Sequence, residues 1–161
     1  VSACFILAEI AAWAKDQGLS LYQLLQKIYV EYGFSKEKGI SVVKKGKSGA
    51  EEIEAMMKKF RENPLTEIAG SKVTYFYDYS TLKGKDYAEN ETVTLDMPTT
   101  SNVLQYFTED NTKVSIRPSG TEPKIKFYCE VHSKVKSIDE LPEAEKAAEE
   151  KINQIKASLG I

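Results

Sequence analysis

The residues best suited to chemistry are residues 117–124, whose sequence is RPSGTEPK. Arg117 carries a planar guanidinium that can donate two parallel hydrogen bonds to one anion. Ser119 and Thr121 each add a hydroxyl, and Gly120 lets the backbone approach a ligand closely or adopt a positive φ. Backbone N–H groups in the same tight bend can donate toward a common point. This set of donors predicts a receptor for phosphate or a similar anion.

Two prolines, Pro118 and Pro123, order this segment before any ligand arrives, because proline fixes its own φ and restricts the residue before it. Less ordering entropy then opposes binding. On composition alone, a surface turn rich in Gly, Pro and Ser with an incidental arginine also fits. The segment by itself therefore leaves both interpretations open.

Other side chains do not have the spacing of a metal or catalytic site. His132 is the only histidine, which excludes a two-histidine metal site, and it is expected at a solvent-facing strand end. The acidic residues are scattered without the spacing of metal ligands. No serine or cysteine stands in a pattern that pairs a nucleophile with its base. We therefore predict no catalytic residue and no metal ligand in this chain.

Composition excludes several classes of partner. The chain has 161 residues and a formal net charge of −2, so no global positive field draws it to nucleic acid. Its most apolar run, residues 3–14, is too short to cross a membrane and contains Glu9. Cys4 and Cys129 lie in the apolar patterns of different elements, which predicts buried free thiols and a cytoplasmic location.

Two helices are predicted at the start of the chain. Residues 2–17 are strong helix formers and Gly18 follows them as a left-handed stop. Ser20 and Gln23 predict a capping box for the second helix, which ends at Gly33. The two form an αα-hairpin with more apolar surface than the pair can bury in itself. Exposed, that surface would promote self-association.

A second region is predicted to combine strands with two further helices. Residues 34–39 predict a charged connector and hinge, and a strand follows over 39–46. Ser48 and Glu51 predict a capping box for the next helix. Further strands are predicted over 72–79, 103–107, 113–117 and 125–131, with a further short strand over 92–97 and a last helix from about Pro142.

The fold class that these elements predict is α+β. An antiparallel sheet of about four main strands should carry two helices on one face, after the helical hairpin. Alternation in the strand 72–79 places Val73, Tyr75, Tyr77 and Tyr79 on one face, which we expect to pack beneath a helix.

Residues 117–124, continued by IKFY at 125–128, resemble the phosphate-binding loop of the α-D-phosphohexomutases, in particular the phosphoglucomutase branch. Residues 1–11 resemble the last helices of that family's third domain. The segments RENP at 61–64 and IAGSKV at 68–73, together with Asp78-Tyr79, resemble its fourth domain. We therefore expect a C-terminal fragment with residues 1–38 from the third domain and residues 39–161 as the fourth.

The resemblance implies interconversion of hexose 1-phosphate and hexose 6-phosphate through a bisphosphate intermediate. It implies a phosphoserine and a Mg²⁺ site carried by the missing N-terminal domains, so the fragment alone should be inactive. Arg117, Ser119, Gly120 and Thr121 would then hold the phosphate of the sugar phosphate substrate that is not reacting, and Lys124 would add positive charge.

Two other functions remain open at this point: a non-catalytic anion-binding module, and a protein-interaction module that uses the apolar face of the hairpin. The length of the open reading frame would distinguish them from a mutase. Which sugar phosphate is preferred does not follow from these residues.

Overall fold

A computed structural model describes residues 2–44 and 46–161, without the side chain at position 47. Val1, at the start of the predicted hairpin, and Lys45, in the predicted strand over 39–46, lie outside the described residues. The elements in chain order are α1 (Ser2–Asp16), α2 (Leu21–Tyr32), β1 (Phe34–Val43), α3 (Gly46–Glu62), β2 (Glu67–Ile68), β3 (Ser71–Asp78), β4 (Lys83–Asp86), β5 (Glu91–Thr94), β6 (Leu104–Thr108), β7 (Lys113–Pro118), β8 (Lys124–Ser133), a 3₁₀ turn (Ile138–Glu140) and α4 (Leu141–Leu159).

The chain divides into two compact units. The first comprises the residues up to Ser35 together with Ser133–Ala147. The second comprises Lys36–His132 and Ala148–Ile161, and it contains most of the sheet. The assignment of residues 1–38 and 39–161 to two domains of a parent enzyme stays a prediction.

The first unit contains the predicted helical hairpin. Gly18 ends α1 with φ of 69°, and Ser20 and Gln23 form both hydrogen bonds of the capping box at α2. The apolar surface stays bare: Phe5 is 70% exposed and Trp13 is 54% exposed. Cys4 is also exposed, which corrects the expectation that both free cysteines are buried; only Cys129 is.

The second unit is organised around a mixed helix and sheet architecture, which confirms the α+β class. Within residues 2–44 and 46–161, the sheet has eight strands in the order β1-β8-β7-β6-β3-β4-β5, with β2 paired to β3, so the expected four strands were too few. Every strand pair with a described register is antiparallel. Beyond the four main strands, β1 overlaps the predicted strand over 39–46 and β5 overlaps the predicted short strand over 92–97, whereas β2 and β4 were not predicted.

The predicted connector at 34–39 is wrong, because these residues form the first part of β1. The charged residues of this segment were interpreted as a loop. They are compatible with a strand because β1 lies at the edge of the sheet, where charged side chains discourage pairing with other chains. The hinge proposed for this segment stays a prediction.

One sheet face holds the core. Val114 and Ile116 of β7 and Ile125 and Phe127 of β8 are fully buried. α3 packs there, since the rings of Phe60 and Phe127 lie 6.2 Å apart at a steep angle. Ile152 and Ile155 of α4 are also completely buried. The opposite face is polar and open along β7 and β8.

β3 departs from the predicted alternation. Its pairing with β6 shifts register between Val73 and Tyr75, so Val73 is buried on the same side as Phe76 and Asp78. The extra residue of such a bulge reverses the faces on either side of it. Tyr75 is consequently 37% exposed instead of packed beneath a helix.

Candidate anion-binding site

The predicted anion loop joins β7 to β8 at one end of the sheet. Its ends are held together by a 2.8 Å hydrogen bond from the Ser119 N–H to the Lys124 carbonyl. The Lys44 N–H donates to the Pro123 carbonyl at 2.8 Å, which ties the loop to the end of β1. The loop is therefore anchored on both sides by backbone bonds.

These bonds change which donors remain for a ligand. The Ser119 N–H is already used, so it cannot serve an anion as the sequence suggested. The Gly120 N–H forms no hydrogen bond with any residue that the structure describes. A Cβ placed on Gly120 would meet nothing within 4 Å, and the residue is not among the glycines with positive φ. Gly120 therefore has an N–H without a partner among the described residues and open space beside its Cα, and it does not need a left-handed backbone.

The hydroxyl groups of the loop also form few hydrogen bonds within the described residues. The Ser119 hydroxyl accepts a long 3.5 Å hydrogen bond from the Thr121 N–H, which leaves its own proton free to donate. The Lys124 ammonium pairs with Glu122, and its hydrogen bond lowers the pKa of that carboxyl. This pairing offsets the positive charge that Lys124 was expected to contribute.

Arg117 lies on the open sheet face directly opposite Lys126 of β8. Neither side chain forms an ion pair or hydrogen bond within the described ranges 2–44 and 46–161. The Lys126 charge contributes to the lowered pKa of the Glu122 carboxyl, after the larger effect of Lys124. Like charges at directly opposed positions of a sheet repel, so Arg117 and Lys126 destabilise each other there. An anion held between them would relieve that repulsion. Sequence reasoning missed Lys126, although the alternation of β8 placed it on the polar face.

The loop also borders a cleft of about 990 Å³ beside α3. Ser119, Gly120 and Thr121 line this cleft, and the α3 side is formed by Ile53 and Met57 among others. Arg117 is not among the described lining residues, because Ile116 before it points into the core and strand alternation sends Arg117 to the other face. The loop therefore stands between the cleft and the open face that carries both cations.

A second polar cluster fixes the end of α3 to the sheet. The Arg61 Nε donates to the Asp78 carboxylate at 2.9 Å and the Arg61 Nη2 donates to the Asn102 Oδ1 at 2.9 Å. Asp78 also accepts from the Ser80 N–H at 3.0 Å and the Ser80 hydroxyl at 2.7 Å. Burial by itself raises the pKa of Asp78, but the hydrogen bonds from Ser80 and Arg61 outweigh it and leave that pKa lowered. The sequence contained both segments without indicating that they pair.

Two kinds of site have no counterpart among the described residues. No three His, Cys, Asp or Glu side chains there come together as metal ligands. Nor does any described helix have the length and apolar content needed to cross a membrane.

Comparison with known proteins identifies the family. Residues 40–148, more than half of the chain, match the family described as "Phosphoglucomutase/phosphomannomutase, C-terminal domain". This chain therefore belongs to the phosphoglucomutase/phosphomannomutase family, which confirms the resemblance of its loop.

Similar proteins agree with this membership. A phosphoglucomutase of Staphylococcus haemolyticus is 37% identical over 118 residues, covering 73% of this chain and 21% of its own length. A phosphoglucomutase of Staphylococcus saprophyticus is 33% identical over 124 residues, covering 77% and 22%. The chain thus spans about a fifth of these curated relatives. The open form of pp63/parafusin from Paramecium matches 73% of this chain and 19% of that one, at 15% identity and a TM-score of 0.38, too low to support an argument.

Proposed function

We propose that this chain is the phosphate-binding C-terminal part of an enzyme that interconverts hexose 1-phosphate and hexose 6-phosphate. The observation that carries this proposal is the pair of directly opposed cations, Arg117 and Lys126, next to a loop in which the Gly120 N–H has no partner among the described residues. The membership of residues 40–148 in the phosphoglucomutase/phosphomannomutase family supports it.

The groups have distinct roles in this proposal. Arg117 presents a planar fork to two phosphate oxygens, and Lys126 adds a point charge from the neighbouring strand. Gly120 donates its backbone N–H, while Ser119 and Thr121 donate hydroxyl protons. Together they hold the phosphate that does not react. Binding energy from that remote group then orients the reacting end of the sugar.

The chemical step belongs to the parent enzyme in this proposal. A phosphoserine outside this chain exchanges the phosphoryl group through a bisphosphate intermediate. Mg²⁺, when bound by the part of the enzyme outside this chain, would supply positive charge there. This chain contributes binding and orientation only, in a cytoplasmic enzyme. Residues 1–38 form the end of the third domain and residues 39–161 the fourth. The preceding domains cover the bare apolar surface of the hairpin around Phe5 and Trp13.

Arg117→Ala tests the anion site. Inorganic phosphate binding to the purified chain, measured by NMR titration, should weaken at least tenfold, because a charge-assisted hydrogen bond is worth roughly 1.5–3 kcal/mol. Arg117→Lys should recover only part of the affinity, since an ammonium cannot reproduce the fork. Lys72→Ala is the matched control, because it removes an exposed cation from β3 away from the loop. Equal affinities for wild type and Arg117→Ala would refute the proposed site.

A further inference from the structure

A cavity separate from the anion site lies at the end of α3, on the sheet face that this helix covers. It has a volume of about 460 Å³ and extends over β3, β4 and β5, and we call it the β4 cavity. Its volume falls within the range of sites for small molecules, roughly 300–1,000 Å³. None of the residues assigned to the anion site lines it. Its charged lining residues are Arg61, Glu62, Asp78, Lys83 and Lys85.

Two lysines of β4 line this cavity from the same strand. Lys83 is directly opposite Asp78 of β3, and Lys85 is directly opposite Phe76. Asp78 and Phe76 are buried on the helix-covered side, where β7 and β8 carry only apolar side chains in their buried positions. Positions two residues apart on a strand point to one face and are separated by roughly 7 Å. The long, flexible stems of both lysines therefore allow their ammonium groups to reach one ligand.

The charges of these two lysines are not balanced by a carboxylate within the described residues. The Lys85 ammonium donates to the Asn90 carbonyl at 2.9 Å and to the Asn90 Oδ1 at 2.6 Å, and both acceptors are neutral. The Lys83 side chain forms no hydrogen bond or ion pair with any residue that the structure describes. The cavity is therefore lined by two cations without an acidic partner.

The acids of the cavity are paired with other cations. Asp78 accepts from the Arg61 Nε at 2.9 Å. Glu62 lies 3.8 Å from the ammonium group of Lys58, which is four residues earlier on α3. These two ion pairs are matched, so Lys83 and Lys85 leave an excess of positive charge. This excess favours a ligand with two or more negative charges.

Two hydroxyl groups add neutral donors to the lysines. Tyr87 lines the cavity, and its hydroxyl has no hydrogen-bond partner among the described residues. Burial raises the pKa of this hydroxyl, so it keeps its proton near neutral pH and can donate it. Thr92 lies on β5 directly opposite Lys85 and also lines the cavity. Its hydroxyl is likewise without a partner in the described part of the chain.

We propose that the β4 cavity binds a small metabolite with at least two negative charges, carried by phosphate or carboxylate groups. Lys83 and Lys85 donate charge-assisted hydrogen bonds to these groups, and Tyr87 and Thr92 donate neutral ones. The bound anion joins β4 and β5 to the last turn of α3, on the opposite sheet face from the anion site. This inference does not depend on the proposed function, because the two sites share no residue.

The test is an NMR titration of the purified chain with two probes, inorganic pyrophosphate and citrate, at one fixed ionic strength. Both strands beside the cavity, β4 and β5, should show backbone amide shifts that saturate. The double variant Lys83→Gln/Lys85→Gln should bind at least tenfold more weakly, because each lost charge-assisted hydrogen bond accounts for about a factor of ten. The double variant Lys83→Arg/Lys85→Arg keeps both charges and should retain most of the affinity. Lys72→Gln is the matched control, an exposed lysine of β3 that does not line the cavity.

The outcomes separate this cavity from the anion site. Binding of pyrophosphate alone supports a phosphorylated ligand, and binding of citrate alone supports a polycarboxylate; either result supports the site. Saturable shifts confined to the amides around Gly120 would show that the probes bind only at the loop between β7 and β8, and would overturn the inference. Absence of saturable shifts in β4 and β5 with both probes overturns it too, as does unchanged affinity in the double glutamine variant.

Discussion

The ion pair between Arg61 and Asp78 offers a sharp test of how the second unit is held together. Asp78 is only 5% exposed, and its carboxylate receives three hydrogen bonds, one from Arg61 and two from Ser80. Asp78→Asn keeps the shape of the side chain but replaces one carboxylate oxygen with an NH₂ group. That group cannot accept a hydrogen bond from Arg61 or Ser80. The variant should therefore leave buried donors unpaired.

The magnitude follows from the burial of each partner. Breaking a buried pair costs about 3–5 kcal/mol, whereas an exposed pair is worth about 0–1 kcal/mol. The Arg61 side chain is 30% exposed and can turn toward water, so the cost of Asp78→Asn should be near the lower end of the first range. A loss of about 3 kcal/mol corresponds to a fall in Tm of roughly 6–12 °C for a chain of this size.

Thermal and urea unfolding of four proteins measures this: wild type, Arg61→Met, Asp78→Asn and the double variant. Because the two side chains share a hydrogen bond, the double variant should lose at least about 1 kcal/mol less than the sum of the single losses. Lys58→Met is the control, since Lys58 pairs with Glu62 on the exposed side of the same helix at 3.8 Å. It should change stability by less than about 1 kcal/mol.

The pH dependence has a definite sign. The folded state lowers the pKa of Asp78, so its contribution to stability is present above the unfolded pKa of about 3.9 and disappears as pH falls through the folded value. The stability difference between wild type and Asp78→Asn should be constant near neutral pH and shrink at acidic pH. Additive single losses, or a difference that persists unchanged at pH 2, would refute the ion-pair explanation.

Two other predictions concern a crowded glycine in the sheet and the exposed apolar surface of α1. Gly84→Ala should lower the free energy of unfolding, measured by urea titration, by about 1–3 kcal/mol. A Cβ there would lie 2.9 Å from the Phe76 carbonyl oxygen and against the Tyr77 ring. An unchanged urea midpoint would contradict this prediction. Trp13 is exposed on α1, so Trp13→Lys should reduce self-association measured by sedimentation, whereas the control Lys15→Arg should not. A wild-type chain that stays monomeric at high concentration would contradict this prediction.

Sequence patterns predicted the elements whose side chains alternate regularly. β8 kept Ile125, Phe127, Cys129 and Val131 on its buried side as expected. The capping box at Ser20 also formed, because its two hydrogen bonds depend only on residues within one helical turn. Both patterns depend on residues close in sequence, so contacts with distant residues did not change the outcome.

The errors arose where the outcome depends on neighbours distant in sequence. β1 has a charged sequence that is compatible with a strand only because it lies at a sheet edge. The bulge in β3 is a property of its pairing with β6, so the residues of β3 alone could not reveal it. Likewise, Lys126 became a candidate only when the register of β7 and β8 placed it opposite Arg117.

Strand alternation links the core to the anion site. In β7 the buried Ile116 and the exposed Arg117 are consecutive, and in β8 the buried Ile125 and Phe127 flank Lys126. A slip of one residue in either strand would bury a cation and expose an apolar side chain, at the cost of both burial energy and desolvation. The packing that stabilises the helix-covered face therefore also fixes Arg117 and Lys126 on the open face.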